Sequence, residues 1–334
     1  GREWISGFDG SAGTAVVTMD SAALWTDSRY FLAAEKQLEG TSFQLIRLKV
    51  KGTPTIARWL ADKLKDTNAQ VGVDGMCNNV SSVENLIHEL RRQGGITVRT
   101  NFDPLNEIWK DRPAIPDHKI EVYPMKYAGE TALSKMRRVR ATLCDMGADG
   151  MLVSALDDIA WLLNLRGTDV HCNPVFVAYL LLSTDKATLF IDKAKLTPQV
   201  EEYLKAQDVG MESYDKVGEG LREYFEYNIL LDPEETSYTL YNIIASADSK
   251  AYAKSIVRHA SPIPAMKAVK NDVEIAGYHN AMLRDGVAMV KFLKWLKPAV
   301  AEGGQTEMSV DRKLTALRAE QSPSRGISFD TIAG

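Results

Sequence analysis

Apolar and polar positions along the chain follow one order of signals twice. In the first copy a tryptophan-bearing segment, Glu3 to Phe8, reads as a short helix and leads through Gly10-Ser11-Ala12-Gly13 into the apolar run Thr14 to Met19. A turn at Asp20-Ser21 returns the chain as Ala23-Leu24-Trp25-Thr26-Asp27, and two such runs around a polar turn predict a β-hairpin. In the second copy helical Ile159 to Leu165 leads through Arg166-Gly167-Thr168 into the apolar run Val175 to Leu182. That run turns at Ser183 to Lys186 and returns as Thr188-Leu189-Phe190-Ile191-Asp192. After each hairpin come a helical stretch and a short buried strand ending in Asp, Val71-Gly72-Val73-Asp74 and Ile229-Leu230-Leu231-Asp232. Each of these Asp residues is followed thirty positions on by a proline, Pro104 and Pro262.

Strands separated by helical segments predict an α/β class with a mixed sheet, antiparallel at the hairpin and crossover-connected elsewhere. Proline-rich punctuation at Arg112-Pro113-Ala114-Ile115-Pro116 and Ser261-Pro262-Ile263-Pro264 places domains at 1–118 and 119–263. The second copy carries an amphipathic helix, Thr131 to Met146 with Arg137, Arg138 and Arg140 outward, and a strand, Gly150 to Ala155, ahead of Trp161. Ahead of Trp4 the first copy has neither. The expectation is an earlier natural start, by about 30 to 50 residues, room for one strand, one helix and their connections.

Residues 264–334 begin with a helix signal: Asn271 as N-cap, Glu274 three residues later, then Ile275, Tyr278, Met282, Met289, Leu293 and Leu296 near one face. Pro298 is expected to end that helix, and a second runs from about Ser309 to Glu320. Two helices and an apolar segment fall short of the roughly 100 to 150 residues of a typical domain. This third domain is expected to continue beyond Gly334.

Composition narrows the function classes. With 45% hydrophobic and 25% charged residues, the chain has ample material for packed cores. Its net charge of -4 is interspersed, without a basic face, which argues against a nucleic-acid partner. No apolar run approaches the roughly 20 residues that span a bilayer. Three dispersed cysteines, Cys77, Cys144 and Cys172, argue against a disulfide framework and for a reducing, cytoplasmic setting.

No zinc-peptidase helix motif, paired-cysteine motif, nucleotide loop or nucleophile elbow occurs. Gly10 to Gly13 precedes a strand and lacks a following lysine, so it reads as a tight packing turn, not a phosphate cradle. Trp4, Trp25, Trp109 and Trp161 read as core or domain-contact residues, and His279 as a solvated residue on the polar side of its helix. The least ordinary loop is Arg166 to Pro174, which sets a guanidinium, a carboxylate, an imidazole and an amide between a buried helix and a buried strand. Two readings stand for it: an ion-paired brace, or a rim that helps hold a peptide substrate through Arg166, Asp169, His171 and Asn173. Nothing accompanies Cys172 to make it a nucleophile.

The block Leu156 to Asp169, with Asn173-Pro174-Val175-Phe176, closely resembles the middle-domain signature of three-domain Xaa-Pro aminopeptidases (aminopeptidase P). Gly7 to Thr14, Trp25 to Tyr30, Ile108 to Pro113 and Ala265 to Asn271 are similar to that family's blocks in the same order. The resemblance implies two tandem creatinase N-terminal-like domains, each a mixed sheet with flanking helices, followed by the beginning of a pita-bread metallopeptidase domain at 264–334. It also implies two metal ions, usually manganese, on two Asp, one His and two Glu. Their role would be to activate water against the bond before a proline at position two. Homodimers and short peptide substrates are further implications. None of those ligand positions has a counterpart here, so no catalytic and no metal residue is assigned, and Asp272, Asp285, Asp311 and Asp330 are not read as ligands. The alternative from another class is a metal-free pseudopeptidase acting as a binding or dimerisation module. Prolidases and creatinases fit less well, because one N-terminal domain is usual there.

Overall fold

The first hairpin forms where the apolar runs place it. In the computed structural model Arg2–Ser6 (α1) opens the chain and Thr14–Val17 (β1) pairs antiparallel with Ala22–Thr26 (β2). The glycines between them serve close approach: a Cβ on Gly10 would sit 2.2 Å from the Phe8 ring, and one on Gly13 2.9 Å from the Trp25 carbonyl. Helix Phe31–Leu38 (α2) then carries the chain over to Phe43–Arg47 (β3), parallel to β2. Ile56–Lys63 (α3), Gln70–Gly72 (β4), Val80–Gly94 (α4) and Thr97–Arg99 (β5) follow, with β4 and β5 parallel. Thr55 and Asn79 cap α3 and α4 by accepting from the amides of Arg58 and Ser82. Trp25 packs edge-on against Trp59, with ring centroids 5.5 Å apart, above Leu60 and Leu90. Trp4 departs from the core expectation. It is 41% exposed and stacks on Trp109 at 5.1 Å as a pair at the surface.

Residues 1–65, 67–224, 227–246 and 256–332 are described. They fall into two units, Gly1–Pro113 with Ser237–Thr239, and Ala114–Thr236 with Leu240–Gly334.

The second unit starts with Glu121–Val122 (β6), Met125–Ala128 (α5), Ala132–Asp145 (α6), Gly150–Val153 (β7), Leu156–Leu163 (α7) and Leu165–Arg166 (β8). The hairpin Ala178–Ser183 (β9) and Ala187–Ile191 (β10) comes next. Pro198–Ala206 (α8), Gly210–Glu212 (β11), Val217–Arg222 (α9), Ile229–Leu231 (β12), Tyr238–Ala245 (α10) and Val257–Arg258 (β13) complete its α/β body. One six-stranded sheet runs β11-β10-β9-β7-β12-β13, antiparallel at β7/β9 and β9/β10 and parallel elsewhere. Alternation along each strand feeds two cores. Met151, Leu180, Leu182 and Leu189 face one, and Leu152, Leu181, Phe190 and Leu231 the other.

Two features of the second unit differ from the sequence pattern. Strand β9 begins at Ala178 and not at Val175, because the Val175 amide donates to Asn173 O and the Val177 amide to the Asp169 carboxylate, leaving neither for the ladder. Arg140 is half-buried, not outward, since its Nε reaches Ser183 O at 2.7 Å.

The tail holds Ile263–Ala268 (α11), Asp272–Glu302 (α12) and Glu307–Ala319 (α13). The Asn271/Glu274 capping box closes as expected. Helix α12 continues through Pro298 to Glu302, because a proline in the last turn removes a single amide donor while the following residues still close the helix. Ala288, Phe292 and Leu317 form a small core between α12 and α13, while Ile275, Tyr278, Met282 and Leu293 remain exposed. Among the described residues no helix is long and apolar enough to cross a membrane.

Candidate functional site

Helix α7 and the loop after it position most of the candidate chemistry in the second unit. Asp157 and Asp158 stand in the first turn of α7, where the helix dipole favours negative charge. From α11, Lys267 pairs with the Asp157 carboxylate and donates to Asp158 Oδ1 at 2.7 Å. Asp158 is buried and its Oδ2 has no partner, so burial pushes its pKa up despite the lysine. Burial pulls the other way on Lys267, where the hydrogen bonds to the two carboxylates win and its pKa is raised.

At the other end of α7 the chain turns through Asn164 in the left-handed region, φ 50°. This residue type accepts that conformation with little strain. Its side chain donates to Glu130 O at 2.8 Å and accepts from Lys135 Nζ at 2.8 Å. Lys135, on α6, is 1% exposed, donates also to Trp161 O at 2.9 Å, and lies 4.3 Å from the Trp161 ring centroid. Burial lowers its pKa to about 8, against the attraction of Glu274 and Glu130.

Strand β8 pairs with β6, setting Arg166 opposite Glu121 and its guanidinium 4.3 Å from the Tyr123 ring centroid. Asn271, capping α12, donates to Ala128 O at 2.8 Å. The approach is close enough that a Cβ on Gly129, at φ 70°, would lie 2.4 Å from Asn271 Oδ1. Between α5, α7, β8, α11 and α12 opens a cleft of about 540 Å³, walled by Tyr123, Lys135, Trp161, Arg166, Tyr278 and Arg284 among others. Lys135, Arg166, Lys267, Lys270 and Arg284 line it against Asp157 and Glu274, and Glu274 is occupied by its capping bond to the Asn271 amide. The cleft is therefore cationic and aromatic. It suits binding of an anionic or carboxylate-bearing molecule, and its walls hold no nucleophile with a partnered base.

The four rim residues separate. Arg166 and Asn173 line the cleft. The Asp169 carboxylate is wholly buried on Lys195, accepts from the Val177 amide at 2.7 Å, and lies 3.7 Å from His118 Nδ1. His171 is exposed, with Nε2 3.0 Å from Asp330 Oδ1. Sequence reasoning missed Lys135, although a signal existed. Ala132, Met136, Val139 and Leu143 make the buried stripe of α6, and position 135 lies on it. Lys195, at the end of a single turn of helix between Ala194 and Leu196, carried no such signal.

Models of the creatinase/prolidase N-terminal domain match residues 1–105 and 111–274. Aminopeptidase P2 of Arabidopsis thaliana is 38% identical over 100% of this chain and 50% of its own length. Xaa-Pro aminopeptidase 1 of Dictyostelium discoideum is 36% identical over 99% of this chain and 53% of its own. The crystal structure of X-prolyl aminopeptidase from Caenorhabditis elegans, described as a cytosolic enzyme with a di-nuclear active site, matches with a TM-score of 0.90 at 29% identity. That match covers 100% of this chain and 54% of that one. The chain spans about half the length of the curated relatives it matches.

Proposed function

The chain belongs to the creatinase/prolidase family, and on that premise we propose that its protein is a three-domain Xaa-Pro aminopeptidase, releasing the first residue of peptides with proline at position two. The observation that carries this reading is 38% identity to Aminopeptidase P2 across the whole chain. Residues 1–118 and 119–263 are then the two front domains, and residue 264 opens the peptidase domain.

A pair of metal ions, manganese in this reading, supplies an activated water in such enzymes. The donors here do not fit a set of two Asp, one His and two Glu. Among the described residues the clustered trio is an imidazole, a thiol and a carboxylate, His171, Cys172 and Asp330. No chemical step is therefore routed through residues 1–334, whose part is binding. Arg166 and Asn173 hold the peptide at the cleft wall. Asp169 stiffens their loop through Lys195, and His171 extends the same rim. Supporting this division are the cationic lining of the cleft and the buried brace beneath it. The protein works as a cytoplasmic homodimer in this reading.

An assay with an Xaa-Pro-Xaa peptide and manganese tests it on two chains, one of the relatives' full length and one of residues 1–334. Cleavage by the longer chain and inertness of the shorter are expected. An inert longer chain lacking the metal-binding set makes the protein a metal-free binding module instead, and metal-dependent cleavage by residues 1–334 overturns the division of labour.

A further inference from the structure

The loop after β8 is laced along its length. The Gly167 amide donates to Pro174 O at 3.3 Å, Asp169 to Val175 O at 3.2 Å, and Asn173 to Val170 O at 3.2 Å. The buried Asp169 carboxylate ties its base to Lys195. At the tip Cys172 takes a left-handed backbone conformation, φ 59°, unusual for a residue with a side chain. That turn puts the adjacent His171 and Cys172 side chains beside Asp330, 159 residues beyond His171, which the next residue helps hold through Thr331 Oγ1 to Asp311 Oδ1. One nitrogen of His171, the Cys172 sulfur and a carboxylate oxygen of Asp330 all lie within 4.8 Å of one another.

We propose that His171, Cys172 and Asp330 form a mononuclear zinc site, with water in the fourth position, that clips the tail segment to the loop. Bond lengths of about 2.0 to 2.3 Å in a tetrahedral site put neighbouring donors roughly 3.3 to 3.6 Å apart. The His171 Nε2 to Asp330 Oδ1 separation of 3.0 Å is already near that range. No two of the three donors lie more than 4.8 Å apart, so closing the site takes a shift of roughly 1 Å at most, within reach of one side-chain rotation at the loop tip. A donor set of imidazole, thiolate and carboxylate suits zinc over manganese or magnesium, which favour oxygen. Binding exchanges the Cys172 proton for the metal and changes no oxidation state. The site shares no donor with a two-Asp, one-His, two-Glu pair, so it stands or falls independently of peptidase activity.

Cobalt(II), a spectroscopic substitute for zinc, reads it directly. The metal-free chain titrated with cobalt is expected to develop a thiolate-to-metal charge-transfer band, saturating at one equivalent and displaced by zinc. The band disappears in Cys172→Ser, persists in Cys77→Ser and Cys144→Ser, and requires about tenfold or more cobalt in His171→Ala or Asp330→Asn. In the unmutated chain, zinc is expected to protect Cys172 from iodoacetamide while Cys77 and Cys144 react as before, measured by peptide mass spectrometry. No thiolate band, a band that survives Cys172→Ser, or affinity unchanged in both His171→Ala and Asp330→Asn overturns the site.

Discussion

The two units spell the same connectivity with different amounts of sheet. In the second, an antiparallel hairpin, β9 and β10, continues in parallel to β11, while the parallel pair β12 and β13 joins the other side through β7. In the first, β1 and β2 continue to β3 in the same way and β4 pairs with β5, but among the described residues no strand bridges β1 and β4. The consequence is visible in burial. Strand β9 is buried at five of its six positions, whereas β1 is exposed at both ends and half-buried between. One central strand decides whether a hairpin is the middle of a sheet or its margin.

The comparison can be strained hardest at the brace of the second unit. Lys195→Ala leaves the Asp169 carboxylate buried without its cation, and a loss of roughly 3 to 5 kcal/mol is expected. Hydrogen exchange during denaturant unfolding is expected to place that loss in β9 and β10 and leave β2 unchanged. An equal loss in both units would mean that they unfold as one.

Matched truncations of the two hairpins come next in size. Leu181→Ala in β9 is expected to cost roughly 2 to 5 kcal/mol, from lost transfer energy and the cavity left behind. Val16→Ala in β1, only half-buried, should cost about 1 kcal/mol or less. Urea midpoints at constant slope measure both. Equal costs would refute the claim that β1 lies at a margin.

A smaller effect is the pH response of Lys135. Its folded pKa, about 8, lies below the ordinary lysine value of 10.5, so the unfolded chain binds more protons between those limits. Stability contributed through Lys135 is therefore diminished at neutral pH and recovers as pH rises from about 8 toward 10.5, by roughly 2 kcal/mol. The difference in unfolding free energy between the unmutated chain and Lys135→Met, followed from pH 7 to 10, should change by that amount. A flat difference would place the charge in water. Last, Arg58→Ala in the first unit breaks an exposed helical pair with Asp62, for which no more than about 0.5 kcal/mol is expected from a thermal melt.

Much of this architecture was legible because it rests on local periodicity. The runs around Asp20-Ser21 and Ser183 to Lys186 alternate or stay apolar over strand lengths, and both became hairpins. Strands β3 and β11 were not separated from their neighbouring helices, since Phe43–Arg47 and Gly210–Glu212 are short and half-exposed, and polar residues interrupt them. The cleft was less legible for a different reason. Its walls come from residues near 123, 135, 161, 173 and 274 to 284, which only the fold assembles. Arg166 and Asn173 were found because their loop is polar between apolar elements. Lys195 was not, because a buried lysine looks like a solvated one until its neighbours are known, whereas Lys135 is betrayed only by its place on the apolar stripe of α6.

The open margin of the first unit bears on how residues 1–334, taken alone, behave in concentrated solution. Strand β1 offers four residues of backbone with no neighbour on its outer side among the described residues, and its last residue, Val17, is 54% exposed. Such a rim is a template on which a second molecule can lay an extended segment and propagate. A lysine in place of Val17 sets a charge there, and light scattering on residues 1–334 alone should then report slower aggregation on storage at high protein concentration.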